Sequence, residues 1–104
     1  MITISITYPH VDGATFDWNY YTGKHLPLVG ETFRPFGLTF ASVLRGIEAV
    51  GGGAPPYVVT VLLTFSDDQA ARNAIASEPA RKLREDLVNF TTIKPIVQLN
   101  TPIP

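Results

Sequence analysis

The 104-residue sequence has no cysteine, and charged residues make up only 16% of it. Without cysteine there can be no disulfide, no thiolate metal site and no cysteine nucleophile. A typical soluble domain carries about 25% charged residues, so part of this surface must be uncharged or covered by a partner. The formal net charge is −1, which argues against nucleic-acid and membrane-surface partners. We expect one domain over residues 1–104, because domains cluster at about 100 to 150 residues.

The sequence also lacks a long hydrophobic run, since no segment approaches the roughly 18 apolar residues of a membrane span. The first residues, 1–7, read MITISIT and alternate apolar with hydroxyl side chains, without the basic start of a signal peptide. We therefore expect a cytoplasmic protein with no membrane partner. The one low-complexity stretch is GGGAPP at 51–56, which lies between two strand-like runs and predicts a hairpin loop.

Four segments have the sequence pattern of β-strands, with apolar side chains alternating along much of their length. These segments are residues 2–8, 36–47, 57–65 and 90–99. In the second of them the alternation predicts one face made of Phe36, Leu38 and Phe40.

Two helices are expected between these strands. The first spans residues 16–25, with Thr15 as its N-cap, and Pro27 disfavours helical backbone just before it, so the helix should end or bend near His25. The second begins at residues 66–69, SDDQ, which match a capping box, and continues through a proline-containing segment. The order of elements is the ferredoxin-like βαββαβ pattern. It predicts an α+β fold with a four-stranded antiparallel sheet and both helices on one face.

The two faces of the predicted sheet differ in composition. The face expected to lie under the helices is apolar: Ile2, Ile4, Ile6, Val59, Val61, Leu63, Ile93, Val97 and Leu99. The other face is rich in threonine and has one charge: Thr3, Ser5, Thr7, Thr39, Ala41, Val43, Val58, Thr60, Leu62, Thr64, Thr92, Lys94, Ile96 and Gln98. A sheet face open to water normally carries several charges. We therefore expect a homodimer whose sheets face each other, the alternative being that threonine simply suits strands.

The segment richest in reactive side chains is residues 8–28. Asp17, Tyr21 and His25 are spaced by four residues, so on a helix they share one face. An imidazole titrates near neutral pH and suits a general acid or base, and a phenol can donate a hydrogen bond to a carbonyl or enolate oxygen. The spacing predicts a proton-transfer set with His25 as the acid/base, Tyr21 as the donor and Asp17 as the orienting group. Packing in the core and capping of the helix N-terminus would explain the same residues.

Other reactive patterns are weak. His10 and His25 lack the spacing of a metal-binding pair, and there is no GxSxG elbow for a hydrolase. The paired carboxylates at 67–68 and 85–86 fall in the charged second helix, where they indicate capping and solubility rather than glycosidase chemistry. We expect no metal and no cofactor.

Several of these residues together resemble the EthD family. The matching features are Tyr8-Pro9, Phe16-Asp17, Tyr20-Tyr21, HLPL at 25–28 and EDLVNFT at 85–91, so the resemblance covers nearly the whole chain. It implies a ferredoxin-like fold in the dimeric α/β-barrel superfamily, usually as a homodimer. The family takes its name from a gene cluster for ethyl tert-butyl ether degradation that includes a cytochrome P450 system. Related small proteins include cofactor-free decarboxylases and isomerases for polyketide-like or lactone substrates. The family pattern marks Tyr8, Asp17, Tyr20, Tyr21, His25 and Pro27.

These observations predict a small homodimer that binds an apolar or aromatic metabolite between its sheet and helices. The expected chemistry is proton transfer, such as isomerisation or decarboxylation, or assistance to an oxidation with an oxygenase as partner. A non-catalytic accessory protein of an oxidoreductase system and a purely structural dimer are the alternatives. The expected walls of the ligand site are Tyr8, Phe16, Tyr20, Phe36, Phe40 and Phe90.

Overall fold

A computed structural model, which describes residues 1–104, contains one four-stranded antiparallel sheet in the order β2-β3-β1-β4. The strands are β1 (Ile2–Pro9), β2 (Leu38–Arg45), β3 (Tyr57–Phe65) and β4 (Ile96–Asn100). The helices are α1 (Trp18–Tyr20), α2 (Leu26–Phe33), α3 (Asp68–Ala76) and α4 (Glu78–Asp86). A π-helical turn (Tyr21–His25) joins α1 to α2, and 3-10 turns follow α2 (Arg34–Phe36) and α4 (Leu87–Asn89). The predicted α+β, ferredoxin-like fold is confirmed.

The core lies between the helices and one face of the sheet, as the alternation in β1 and β3 predicts. Ile4 pairs with Leu63 and Ile6 with Val61, and these four side chains point to the helices. Val97 shares this face but is half-exposed, because it lies on the edge strand β4. None of the helices combines the length and the apolarity needed to cross a lipid bilayer.

The predicted faces of β2 are wrong beyond its first residue. Leu38 pairs with Phe65 on the core side, but Phe40 pairs with Thr64, whose side chain points the other way. A β-bulge lies between Leu38 and Phe40, and the extra residue, Thr39, reverses the alternation that the sequence pattern assumed.

The face of the sheet away from the helices carries no charged residue. It consists of Thr3, Ser5, Thr7, Phe40, Ser42, Leu44, Val58, Thr60, Leu62, Thr64, Ile96, Gln98 and Asn100. Of the other residues expected there, Ala41 and Val43 lie on the core side, Thr39 is the extra residue of the bulge, and Thr92 and Lys94 precede β4. Phe40 and Leu44 take their place and are 63% and 55% exposed. We call this surface the uncovered face.

Both helical regions begin at an aspartate rather than at the predicted hydroxyl residue. Asp17, not Thr15, is the N-cap of α1, and Asp67, not Ser66, is the N-cap of α3. Each carboxylate accepts a hydrogen bond from the backbone N–H three residues later, at 3.1 Å and 2.7 Å. Each therefore satisfies one of the backbone donors that a helix start leaves free.

The first helical region was predicted to end or bend near His25; it does not end there, but a π-helical turn interrupts the α-helix up to His25 and α2 continues from Leu26. Pro27 has no N–H for the carbonyl four residues earlier, and its ring would collide with that carbonyl in a regular α-helix. The π-helical turn directly before it widens the helix, and the N–H of Leu26 bonds the carbonyl of Tyr21, five residues back. Pro27 then occupies the first turn of α2, where a missing N–H costs little.

The last strand is shorter than predicted, because residues 90–95 do not join the sheet. Phe90 turns into the core, where it is 3% exposed. The Thr91 hydroxyl donates to the Thr15 carbonyl at 2.8 Å, and Thr91 forms an isolated bridge with Phe16. This segment therefore anchors the end of the second helical region beside the start of the first.

Candidate functional site

Aromatic rings from distant parts of the chain pack into one cluster, formed by Tyr8, Phe16, Trp18, Tyr20, Tyr21 and Phe90. Ring centroids lie 4.3 to 6.4 Å apart, and several pairs meet edge to face, which suits their quadrupoles. The predicted wall residues Phe36 and Phe40 lie outside the cluster. Phe36 belongs to the 3-10 turn after α2, and Phe40 lies on the uncovered face.

His25 lies against this cluster and is hydrogen-bonded to a carboxylate. Its ring is 4.5 Å from that of Phe90, and the residue is only 5% exposed. Nδ1 lies 2.8 Å from Oδ2 of Asp86, at the end of α4 and 61 residues away in sequence. The other carboxylate oxygen accepts from the Tyr20 hydroxyl at 2.6 Å and from the Asn89 amide at 2.9 Å.

These contacts fix the charge of Asp86 and the tautomer of His25. Burial opposes ionisation of the Asp86 carboxyl, but hydrogen bonds from Tyr20, His25 and Asn89 outweigh it, so the pKa of Asp86 is lowered. An ionised carboxylate can only accept, so Nδ1 of His25 donates. In a neutral imidazole Nε2 then keeps its lone pair, which is the arrangement of a general base.

His25 forms part of the wall of a cavity of about 180 Å³ between the covered face of the sheet and helices α2, α3 and α4. The wall is mostly apolar: Ile4, Ile6, Tyr8, His25, Val29, Phe33, Ile75, Ala80, Leu83, Arg84, Leu87, Pro95 and Val97. Of the six residues predicted as ligand walls, only Tyr8 lines this cavity; Phe16, Tyr20 and Phe90 pack in the aromatic cluster instead. A dry cavity of about 150 Å³ holds benzene. This cavity is therefore large enough for one substituted six-membered ring.

Two buried tyrosines lie near His25, and one of them shares its cavity. Tyr8 lines the cavity, and burial raises the pKa of its phenol far above the ordinary value, so it stays a neutral donor. Burial and the nearby Tyr8 likewise raise the pKa of Tyr21. Tyr21 stacks on the His25 ring at 5.6 Å but is not part of the cavity wall. The hydrogen-bond donor predicted at Tyr21 is therefore better placed at Tyr8, because Tyr8 lines the cavity and Tyr21 does not.

The predicted orienting residue, Asp17, is exposed, and its carboxylate caps α1. The carboxylate that contacts His25 is Asp86, which sequence reasoning assigned to solubility because its neighbours are charged. One signal could have identified it. Asp86 follows the buried Leu83 by three residues, so on a helix it points to the same, inner side.

Trp18, a member of the aromatic cluster that does not contact His25, forms a cation–π contact with Arg45. The guanidinium of Arg45, the last residue of β2, lies 3.8 Å from the centroid of the Trp18 ring. Trp18 in turn packs on Phe16, with centroids 4.3 Å apart. The first helical region is therefore held to the second strand as well as to α4. No group of three or more His, Cys, Asp or Glu side chains is arranged to hold a metal ion.

Solved structures of EthD-like proteins share this fold over nearly the whole chain. An EthD-like protein from Ralstonia eutropha JMP134 is 26% identical, with a TM-score of 0.83, and the match covers 95% of this chain and 88% of that one. An ethyl tert-butyl ether degradation (EthD) family protein from Bacillus halodurans C-125 is 15% identical, with a TM-score of 0.78 and 99% coverage of both chains. A DABB family protein with a ferredoxin-like fold from Mesorhizobium loti is 15% identical, with a TM-score of 0.64, and the match covers 99% of this chain and 97% of that one.

Neither a protein-family model nor a curated protein matches the chain. The likeness to the Ralstonia protein extends to sequence as well as fold. EthD-like proteins are therefore the family that this chain resembles, as its sequence pattern predicted.

Proposed function

We propose that this protein binds a small, largely apolar metabolite and catalyses proton transfer on it without a cofactor. The observation that carries the proposal is the hydrogen bond of 2.8 Å between Nδ1 of the buried His25 and Oδ2 of the partly buried Asp86, with the imidazole on the wall of an apolar cavity. Such a pair holds one ring nitrogen as a donor to the carboxylate and leaves the other available as a base. An apolar surrounding strengthens the attraction between the carboxylate and the imidazolium that forms.

The proposed reaction begins with a substrate that has an acidic C–H beside a carbonyl group. Nε2 of His25 takes the proton. The electron pair of the C–H bond forms a C=C double bond to the carbonyl carbon, and the π electrons of the carbonyl group move to its oxygen, which becomes an enolate oxygen. The Asp86 carboxylate stabilises the imidazolium, and the Tyr8 hydroxyl is the donor available to the enolate. In a β,γ-unsaturated substrate the enolate is conjugated with the neighbouring C=C bond, so return of the proton to the γ carbon completes an isomerisation to the α,β-unsaturated carbonyl and regenerates the neutral imidazole.

Phenylacetone in D₂O tests this proposal, because it has one ring and a C–H between that ring and a carbonyl. We expect the protein to accelerate deuterium incorporation at this carbon, followed by NMR. His25→Gln should lower the rate by about a hundredfold, the usual contribution of a positioned base. His10→Gln is the matched control, since His10 lies in the exposed turn after β1. Equal exchange by the wild type and His25→Gln would remove the imidazole from the mechanism.

Ligand binding without turnover is the second candidate function. One observation favours it: Asp86 accepts hydrogen bonds from Tyr20 and Asn89 as well as from His25, so the carboxylate also fastens the two helical regions together. In this case the protein would hold an intermediate for an oxygenase. Phenylacetone would then shift the NMR signals of cavity residues but gain no deuterium above the buffer rate.

We further propose that the protein is a homodimer in which two uncovered faces meet and form a dimeric α/β barrel. The uncovered face has no charge and bears three large exposed apolar side chains, Phe40, Leu44 and Ile96. A sheet face that stays in water normally carries several charged residues. A second copy of the same face is the partner that suits it best, because apolar side chains can then pack against apolar side chains and hydroxyl groups can hydrogen-bond to hydroxyl groups.

A further inference from the structure

The cavity that contains His25 has one permanently charged side chain in its wall, Arg84 of α4. The remaining wall residues are apolar apart from Tyr8 and His25, and no carboxylate is among them. Arg84 also lines a second, shallower groove, together with Lys94. Arg84 therefore lies where the cavity and the groove adjoin, and Lys94 adds a second positive charge in the groove.

Arg84 differs from two other arginines of the same helical region in forming no salt bridge, although its charge acts on Glu78 from a distance. Arg72 is paired with Asp68, and Arg81 is paired with both Glu78 and Glu85. The only hydrogen bond that the Arg84 guanidinium makes is a long one of 3.4 Å to the carbonyl of Ile75. Its guanidinium thus keeps most of its five donors for a planar anion, which it can bind in bidentate fashion.

We propose that the ligand of this cavity is a small organic acid with a single ring. The ring occupies the apolar cavity beside His25, and the carboxylate is bound by Arg84 at the mouth, with Lys94 adding positive potential. The proposal rests on the proposed function, because it assumes that the His25 cavity is the ligand site. It adds the chemical class of the ligand and the residue that selects it.

Benzoate and benzamide test this assignment, since they have nearly the same shape and differ in charge. Their dissociation constants are measured by NMR titration of the full chain, for the wild type, Arg84→Gln and Lys82→Gln. Lys82 is the matched control, because it is an exposed cation of α4 outside the cavity wall. We expect the wild type to bind benzoate at least about tenfold more tightly than benzamide, Arg84→Gln to abolish this preference, and Lys82→Gln to keep it.

Each other outcome overturns the assignment in a distinct way. Equal binding of both compounds by the wild type would remove Arg84 as a selector and leave the proposed function standing. Equal loss of benzoate affinity in Arg84→Gln and Lys82→Gln would indicate diffuse attraction instead of a bound carboxylate. Binding of neither compound would exclude single-ring acids as ligands, and phenylacetone exchange with the same samples would show whether the proposed function fails with them.

Discussion

At the scale of single residues, the partly buried carboxylate of Asp86 joins three side chains from two helical regions. It accepts from Tyr20, His25 and Asn89, and its own side chain is 14% exposed. Replacing it by asparagine places an amide N–H₂ group against these donors. Hydrogen bonds to a charged group contribute about 1.5 to 3 kcal/mol each, so the substitution removes much more than a surface charge.

We expect Asp86→Asn to lower the free energy of unfolding by about 2 kcal/mol near neutral pH. The pKa of Asp86 is lowered in the folded protein, so the stabilisation is complete above the unfolded value of about 3.9 and is lost as pH falls through the folded value. Urea unfolding should therefore show the gap between wild type and variant shrinking from about pH 5 towards pH 3. Asp12→Asn, at a fully exposed position, is the control. A gap that stayed constant in acid would contradict the assignment.

The contact between His25 and Asp86 also marks the limit of prediction from local spacing. The aromatic cluster and His25 could be identified because Tyr8, Tyr20 and His25 stand out in one short segment. Asp86 lies 61 residues from His25, and only the packing of α4 against the first helical region brings the two together. The helical period relates only residues three or four positions apart, so it cannot relate two residues that lie 61 positions apart.

At the scale of elements, Ser77 divides what would otherwise be one helix. Its extended backbone separates α3 from α4, its hydroxyl donates to the Ala74 carbonyl at 2.7 Å, and the same oxygen accepts from the Ala80 N–H at 3.2 Å. One side chain thus serves both the end of α3 and the start of α4. The resulting bend lets Ala74 and Ala80 both reach the core.

We expect Ser77→Ala to lower the free energy of unfolding by about 1 kcal/mol, the usual effect of losing an N-cap. Ser66→Ala is the matched control, because Ser66 was predicted to begin the capping box but Asp67 is the actual cap. Thermal unfolding of the two variants should therefore show a lower melting temperature for Ser77→Ala only. A larger fall in melting temperature for Ser66→Ala than for Ser77→Ala would contradict the assignment of Ser77 as the N-cap of α4.

Helices and strands could be predicted where the spacing of apolar side chains stays regular along the segment. They could not be predicted where a single residue shifts that spacing. β1 and β3 alternate throughout, so their bounds and faces were predicted closely. In β2 the bulge at Thr39 adds one residue and exchanges the faces, and before Pro27, where the helix was expected to end or bend, a wider helical turn carries it on into α2. Pro27 indicates that the helix must be interrupted but not that a π-helical turn will do it, and no residue type in β2 marks the bulge.

At the scale of the whole molecule, the order of elements was enough to predict the fold, whereas assembly remains a proposal from the uncovered face. The structure makes that face less polar than the sequence suggested, because the bulge in β2 places Phe40 and Leu44 on it and Lys94 lies outside it. A monomer would leave these side chains in water. The absence of charge across the face favours association of two copies.

We expect Leu44→Asp to convert the proposed homodimer into a folded monomer. Leu44 is 55% exposed in the single chain, so an aspartate there is tolerated by the monomer, whereas two facing copies would bury two unpaired carboxylates. Sedimentation at micromolar concentration measures the change. Val50→Asp, in the loop between β2 and β3, is the control and should leave the dimer intact. A monomeric wild type would refute the proposed assembly.

Trp18 is the only tryptophan of the chain, and its position gives the molecule a built-in optical probe. Its indole lies between Phe16 and the Arg45 guanidinium, at the junction of the first helical region with the end of β2. Emission excited at the red edge of protein absorption therefore comes from this junction alone. Its wavelength and its quenching by iodide report whether strand and helix stay docked, without any label.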